Sequence, residues 1–181
     1  MKKLAVSLVL SGLFVSTVAL AGWTKAGVGQ ATFSAIGTGG FKMEGKTPTV
    51  DVTDDGKVVT VVVGLTELVT GISLRDRHMR DKYLEVSKFP TTTLTVAIDA
   101  LKIPAAAGAI EGDATGNMTL HGVTKPQPFH YKGVCKAEGV CDIEGTITLN
   151  MNDFGIVVPS YLGITVKPMV TISTSFPVKR P

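Results

Sequence analysis

One stretch of strict alternation narrows the folds open to this chain more than any other feature. From Ile110 to His121, Ile110, Gly112, Ala114, Gly116, Met118 and Leu120 fall on one face of an extended strand. Glu111, Asp113, Thr115, Asn117, Thr119 and His121 fall on the other. A helical period would scatter both sets, whereas a strand with one dry and one wet face keeps them apart. The dry face is small in its middle, so it leaves room beside it unless a neighbour fills that room.

The same period recurs along the chain. Phe33 and Ala35 alternate with polar residues before the Gly37–Gly40 turn, and Phe41, Met43 and Gly45 continue on one face after it. The Thr53–Gly56 turn ends in Asp–Gly and leads into Lys57–Leu65, a β-branched run expected to be buried on much of both faces. Leu94, Val96, Ile98 and Ala100, then Phe129 and Tyr131, then Ile147, Leu149 and Met151, and finally Val170, Ile172, Thr174 and Phe176 repeat the pattern. Pro126 and Pro128 mark the strand that holds Phe129 as an edge or a bulge. The pattern predicts about eight to ten short strands and one short helix, in a single all-β antiparallel domain. Closing about eight strands leaves an interior wide enough for side chains or one small ligand, and the small Gly112–Ala114–Gly116 face favours an open lumen. A membrane-spanning barrel would need apolar residues facing outward, and the outward candidates here are Glu, Asp, Thr, Asn, Lys and Ser.

The first residues belong to targeting. Lys2 and Lys3, the apolar run Leu4–Val18 and the Ala19–Leu20–Ala21 triplet form a secretory signal with an expected cut after Ala21. That assigns residues 1–21 to the signal peptide and 22–181 to the domain, in the periplasm or outside the cell, with no stable membrane insertion once the signal is gone. Without Lys2 and Lys3 the 18 basic side chains fall to 16 against 15 acidic ones. A nearly neutral chain without a basic run offers no footprint for nucleic acid. Cys135 and Cys141 read first as a disulfide in an oxidising compartment, closing a short hairpin loop and contributing about 2 kcal/mol.

The chemistry-bearing residues are sparse. His78, His121 and His130 are too far apart for a local metal motif, and no metal site or cofactor is assigned. No nucleophile elbow, phosphate loop or dinucleotide fingerprint is present. An enzyme reading would have to draw on Asp76, His78 and Asp153, and nothing local supports it, so the chain is read as a non-enzyme.

Thr70–Pro90, TGISLRDRHMRDKYLEVSKFP, breaks the β pattern. Ser73 as N-cap with Asp76 three residues on is a helix-start signal. Ile72, Met79, Tyr83 and Val86 then lie near one helical face, and Asp76–Arg80 and Arg77–Asp81 form i,i+4 pairs on the exposed side. Two readings stand: a short amphipathic helix that plugs a barrel end, or a helix whose Arg75 and His78 meet a polar ligand head at the barrel mouth.

Three blocks of this sequence, Thr70–Pro90, GNMTLHGVTKP at Gly116–Pro126 and NDFGI at Asn152–Ile156, resemble the YceI-like family of bacterial periplasmic proteins. The resemblance implies a lipocalin-like antiparallel barrel with its short helix near the mouth and a tunnel for a long amphiphile. Polyisoprenoids, isoprenoid quinones and fatty amides are the implied ligand types, and storage, transport or stress response the implied roles. It places Arg75, Asp76 and His78 at the tunnel mouth, with Leu74, Met79, Tyr83, Leu84 and Phe89 on its wall. The inward strand residues taken with them are Phe33, Phe41, Val96, Ile98, Gly112, Ala114, Met118, Leu120, Phe129, Ile147, Leu149, Phe154 and Ile172. Two departures stand out: Gly29–Val52 lacks a His-rich opening, and Met151–Asn152 stands where an Arg is common. An interaction module docking an envelope or membrane redox partner through the charged helix is the alternative. A homodimer is a further expectation.

Overall fold

Residues that alternate in the sequence become strands because each then buries one row of side chains and leaves the other in water. The computed structural model describes residues 22–104, 107–161 and 163–180. The expected signal segment and its cut lie outside them, as do Ala105 and Ala106 of the alanine loop. The strands are β1 (Thr24–Lys25), β2 (Gln30–Gly37), β3 (Lys42–Thr47), β4 (Val50–Asp54), β5 (Val58–Gly64), β6 (Thr91–Ala97), β7 (Gly108–Leu120), β8 (Val123–Cys135), β9 (Val140–Asn150), β10 (Ser160–Tyr161) and β11 (Ile164–Lys179). One α-helix, α1 (Ser73–His78), interrupts them.

The sheet is antiparallel and runs β3-β2-β11-β9-β8-β7-β6-β5-β4, with β1 and β10 attached to β11. Its two end strands, β3 and β4, are consecutive in the chain, so the sheet curls into a nearly closed barrel. β1 helps close the seam. Thr24 pairs with Lys179 of β11, and the Trp23 amide donates to Asp54 Oδ2 at the end of β4, 3.0 Å away.

The inward rows make the core. Val50, Val52, Val96, Ile110, Met118, Leu120, Tyr131 and Leu149 are each buried, and each contributes on the order of 2 kcal/mol. β8 pairs with β7 along its whole length but with β9 only from His130–Thr146 to Cys135–Cys141. Pro126 and Pro128 therefore sit where β8 lacks a ladder on its β9 side, as a residue without an amide hydrogen requires. Cys135 and Cys141 face each other in that register, are both buried, and are joined by a disulfide.

One inference from residue size is corrected by the register. The gap beside Gly112 is not empty: Gly112 and Gly145 flank Tyr131 on its two neighbouring strands. A Cβ on Gly112 would stand 2.6 Å from the Tyr131 hydroxyl, and one on Gly116 would meet Leu94 Cδ1 at 2.9 Å. Phe33 lies across Gly45 in the same way, 2.3 Å from where its Cβ would be. Aromatic rings laid over facing glycines fill the space that the small face leaves.

The helical segment is also built differently from the spacing argument. Ile72, extended at φ −127° and ψ 108°, is the N-cap and makes no side-chain cap, so Ser73 is already inside the helix. Asp76 instead reaches back, accepting from the Thr70 amide at 2.7 Å and the Thr70 hydroxyl at 2.5 Å. The expected Asp76–Arg80 pair is replaced by backbone contacts, because Arg80 donates to the Leu68 carbonyl at 3.1 Å. Arg77 and Asp81 stay exposed. α1 then widens into one π turn, Met79–Tyr83, in which the Leu84 amide donates to the Met79 carbonyl. No helix among the described residues is long and apolar enough to cross a membrane.

Candidate binding tunnel

Two cavities lie along β11 inside the barrel. The larger, about 400 Å³, takes Val166, Val170 and Ile172 from β11; the smaller, about 130 Å³, takes Ile172, Thr174, Phe176 and Val178. From Val170 to Val178 this i, i+2 walk means that one inward face serves both chambers, over about 26 Å of strand. Val63, Thr92 and Ile172 line both, Val63 and Thr92 as paired neighbours on β5 and β6. The larger chamber is in the size range of small-molecule sites, whereas the smaller one is below it and is useful as an extension.

Trp23, Leu101 and Ile103 line the far chamber. Arg180 lies over the Trp23 ring, 5.5 Å from its centroid, and donates to the Pro104 carbonyl. The near chamber is walled by strand residues and by the helical segment, which supplies Leu74, Met79, Tyr83 and Leu84. The π turn brings the last three onto the cavity side.

Polar groups on the near chamber are few. Arg75 and His78 bring the basic side chains, and Thr32, Thr47, Thr92 and Ser160 bring hydroxyls. Thr92 donates to the Thr119 carbonyl at 2.8 Å. Arg75 is fixed from behind, donating Nε to the Thr70 hydroxyl at 2.6 Å and Nη2 to the Thr70 carbonyl at 2.9 Å. Thr70 thus couples Arg75 to Asp76. The guanidinium is held at the cavity wall by a turn that the Asp76 side chain stitches shut.

Most residues expected on the wall lie on it. Phe33, Phe41, Leu74, Arg75, His78, Met79, Tyr83, Leu84, Leu120 and Leu149 line the near chamber, Val96, Met118, Phe129 and Ile147 the far one, and Ile172 both. Six lie off it. Asp76 is buried against Thr70, and Phe154 is 1% exposed beneath its turn. Ile98 starts the 3-10 turn Ile98–Ala100, where its amide is bonded to Lys57. Gly112 lies under Tyr131, and Ala114 packs against the core without reaching either chamber. Phe89 lies on His121 instead, ring centroids 4.7 Å apart. The wall residues outside the expected set include Trp23, Tyr131, Phe176 and Val178. Alternation puts Tyr131 and Phe176 on inward rows already, and one more step along the β11 row reaches Val178.

The three blocks that carry the resemblance meet outside the chambers. His121 Nε2 is 3.0 Å from Glu85 Oε2, and its Nδ1 is 3.3 Å from the Phe154 carbonyl. Glu85 and His121 both hold positive φ, 44° and 51°, a strained setting kept by the contacts around it. Gly122, at φ 76°, has Phe89 Cε1 2.7 Å from where a Cβ would stand. The Lys88 ammonium bonded to Glu85 holds that carboxyl below its ordinary range, and His121 adds to the effect. The cluster clasps the helical segment to the β7–β8 turn and to the Asn152–Ile156 turn.

Asp76 serves Thr70, and Asp153 pairs with Lys125 at 3.9 Å, so the two carboxylates belong to separate structures. Among the described residues no three His, Cys, Asp or Glu side chains gather as a metal site.

A model of the YceI-like domain matches residues 21–178. The chain belongs to the YceI-like domain family. A UPF0312 protein of Pseudomonas aeruginosa strain LESB58 is 32% identical over 124 residues, covering 65% of this chain and 59% of that one. A UPF0312 protein of Pseudomonas savastanoi pv. phaseolicola is 36% identical over 109 residues, covering 56% and 53%. The matches thus span little more than half the length of these curated relatives. Among solved structures, a polyisoprenoid binding domain from Saccharophagus degradans, implicated in plant cell wall breakdown, aligns with TM-score 0.72. It is 13% identical and covers 88% of this chain and 98% of its own. Burkholderia cenocepacia BcnA aligns with TM-score 0.59 at 14% identity, covering 82% and 95%. At such identities the likeness establishes the fold, and this YceI-like barrel shares it.

Proposed function

We propose that this YceI-like protein holds one long-chain amphiphile in its barrel, tail in the two chambers and polar head beside Arg75 and His78. The observation that carries the reading is the lining: both chambers are almost wholly apolar, and the basic side chains among their lining residues, Arg75 and His78, stand on the near one. An apolar chain buried there gains roughly 25 cal/mol per Å² of covered surface. A cation held in place by Thr70 suits a head with an acceptor oxygen, such as a prenol, a quinone or an amide. The polyisoprenoid-binding name of the similar Saccharophagus domain supports a lipid as ligand, and the signal-like leader supports the periplasm or the outside as the compartment. Storage, transport or stress response then follows from holding a water-insoluble molecule away from the membrane.

Binding without catalysis is the function this geometry supports, since Asp76 and Asp153 are engaged with other elements. Docking of a redox partner through the charged helix finds less support, because Arg75, Asp76 and Arg80 are turned onto the protein's own backbone and Thr70. Organic extraction of protein purified from its native host, followed by mass spectrometry, tests the proposal. A stoichiometric amphiphile is expected. No lipid on extraction, together with no uptake of added quinone or prenol, would overturn it.

A further inference from the structure

The near chamber opens through a rim whose side chains line the cavity and face solvent at once. Phe41, Ile72, Leu74 and Ile164 all belong to its wall, and they leave 45%, 53%, 43% and 42% of their surface in water. Scattered exposed apolar residues need no explanation, but four around one opening form a collar. The collar is assembled from three parts of the chain: the start of β3, the start of α1 and the start of β11. Two of these parts touch, since a Cβ on Gly37 would meet Ile164 Cγ2 at 3.1 Å and Phe41 Cβ at 3.6 Å. Thr38 holds them together, its hydroxyl donating to the Thr165 carbonyl and accepting from the Thr165 amide.

Charge beside the collar leans positive. The segment Ser73–Tyr83 carries Arg75, Arg77, Arg80 and Lys82 against Asp76 and Asp81, of which Asp76 is buried and Asp81 exposed. Arg77 lies three residues after Leu74 and so shares its side of the helix. Arg77 and Lys82 are both exposed.

We propose that this mouth docks on the surface of an anionic lipid bilayer. The collar enters the interface, Arg77 and Lys82 meet headgroup phosphates, and an amphiphile passes between the bilayer and the near chamber without crossing water. An apolar face bordered by cations is the chemistry of a peripheral membrane contact. Its place argues for a membrane over a second copy of the chain: a copy seated on the collar would close the entry that the cavity presents. The inference extends the amphiphile-binding reading, but it is measured on vesicles with no cavity ligand added, so either can fail alone.

The test is cosedimentation of the purified protein with vesicles of phosphatidylglycerol and phosphatidylcholine, against phosphatidylcholine alone. Binding to the anionic vesicles that falls with salt is expected. Each basic side chain near such a surface contributes about fivefold, so Arg77→Glu with Lys82→Glu should lose roughly 25-fold or more while circular dichroism stays unchanged. A positional readout guards against a nonspecific effect. The one native tryptophan, Trp23, stands by the far chamber at the other end of β11. Vesicles of brominated phosphatidylglycerol should leave its fluorescence intact and quench that of Phe41→Trp in a Trp23→Phe background. No binding, equal binding to neutral vesicles, quenching of Trp23 but not of position 41, or a dimer that hides the collar would each overturn the proposal.

Discussion

Enlarging a side chain that lines both chambers should shorten the ligand that the protein accepts. Val63, Thr92 and Ile172 are the residues common to both cavities, and Ile172 lies between the near-chamber Val170 and the far-chamber Thr174 on β11. Ile172→Phe thrusts extra ring carbons into the passage; Val63→Phe does so from β5. Overpacking costs about 1–3 kcal/mol of stability, which urea unfolding will show. The effect on binding is larger and selective. A ligand that loses one five-carbon isoprene unit from the far chamber forfeits about 4 kcal/mol, at about 0.8 kcal/mol per CH2. That is about a thousandfold in Kd. Fluorescence titration with a series of prenols of increasing length would show it. Short prenols, housed in the near chamber, should bind the variants and the parent alike, and the gain with added length should stop early in the variants. Equal losses for short and long prenols, or no loss for long ones, would mean that the ligand does not extend past Ile172 into the far chamber.

Three further outcomes follow from the packing. Gly112→Ala places a Cβ 2.6 Å from the Tyr131 hydroxyl, which accepts from the Lys102 amide at 2.6 Å. Crowding and the lost bond, less the gain of replacing a strand glycine, should cost about 2 kcal/mol in urea unfolding, and an unchanged stability would contradict the filling of that gap by Tyr131. Asp76→Ala strands the amide and hydroxyl of Thr70, at about 2–4 kcal/mol, and Asp76→Asn should recover part of it; a loss below about 0.5 kcal/mol would contradict the turn's role. The amides of Val58 and Lys57 hold the Asp55 carboxyl below its usual 3.8. A carboxyl lowered in the folded state stabilises above its unfolded pKa and loses that contribution as pH falls through the folded value. The stability difference between the parent and Asp55→Asn should therefore shrink on acidification below about pH 4, and a constant difference would count against it.

The strands were legible because burial writes itself as a period of two. β7 and β11 read directly, down to the prolines that leave β8 unpaired toward β9. What the sequence could not carry was register. Gly112 and Gly116 announce a gap on their own strand, but whether it stays open depends on which residues stand opposite, and Tyr131 and Leu94 are named only by the pairing. The helical segment was legible as a break and not in its detail. Ser73 and Asp76 have capping spacing, yet a carboxylate can reach back as well as along the helix, and Asp76 found Thr70 first. Phe89 illustrates the same limit: an aromatic beside a proline looks like a wall residue until His121 and Gly122 supply a closer surface. Arg75, His78, Met79, Tyr83 and Leu84 came out together because a short helix with a π turn presents them to one cavity.

If one amphiphile occupies the two chambers, head toward Arg75 and His78, native mass spectrometry of the protein taken from its own host will show it. A single additional mass is expected at one lipid per chain, displaced or shortened in Ile172→Phe. A bare protein mass that stays bare after incubation with prenols and quinones of every length would contradict it.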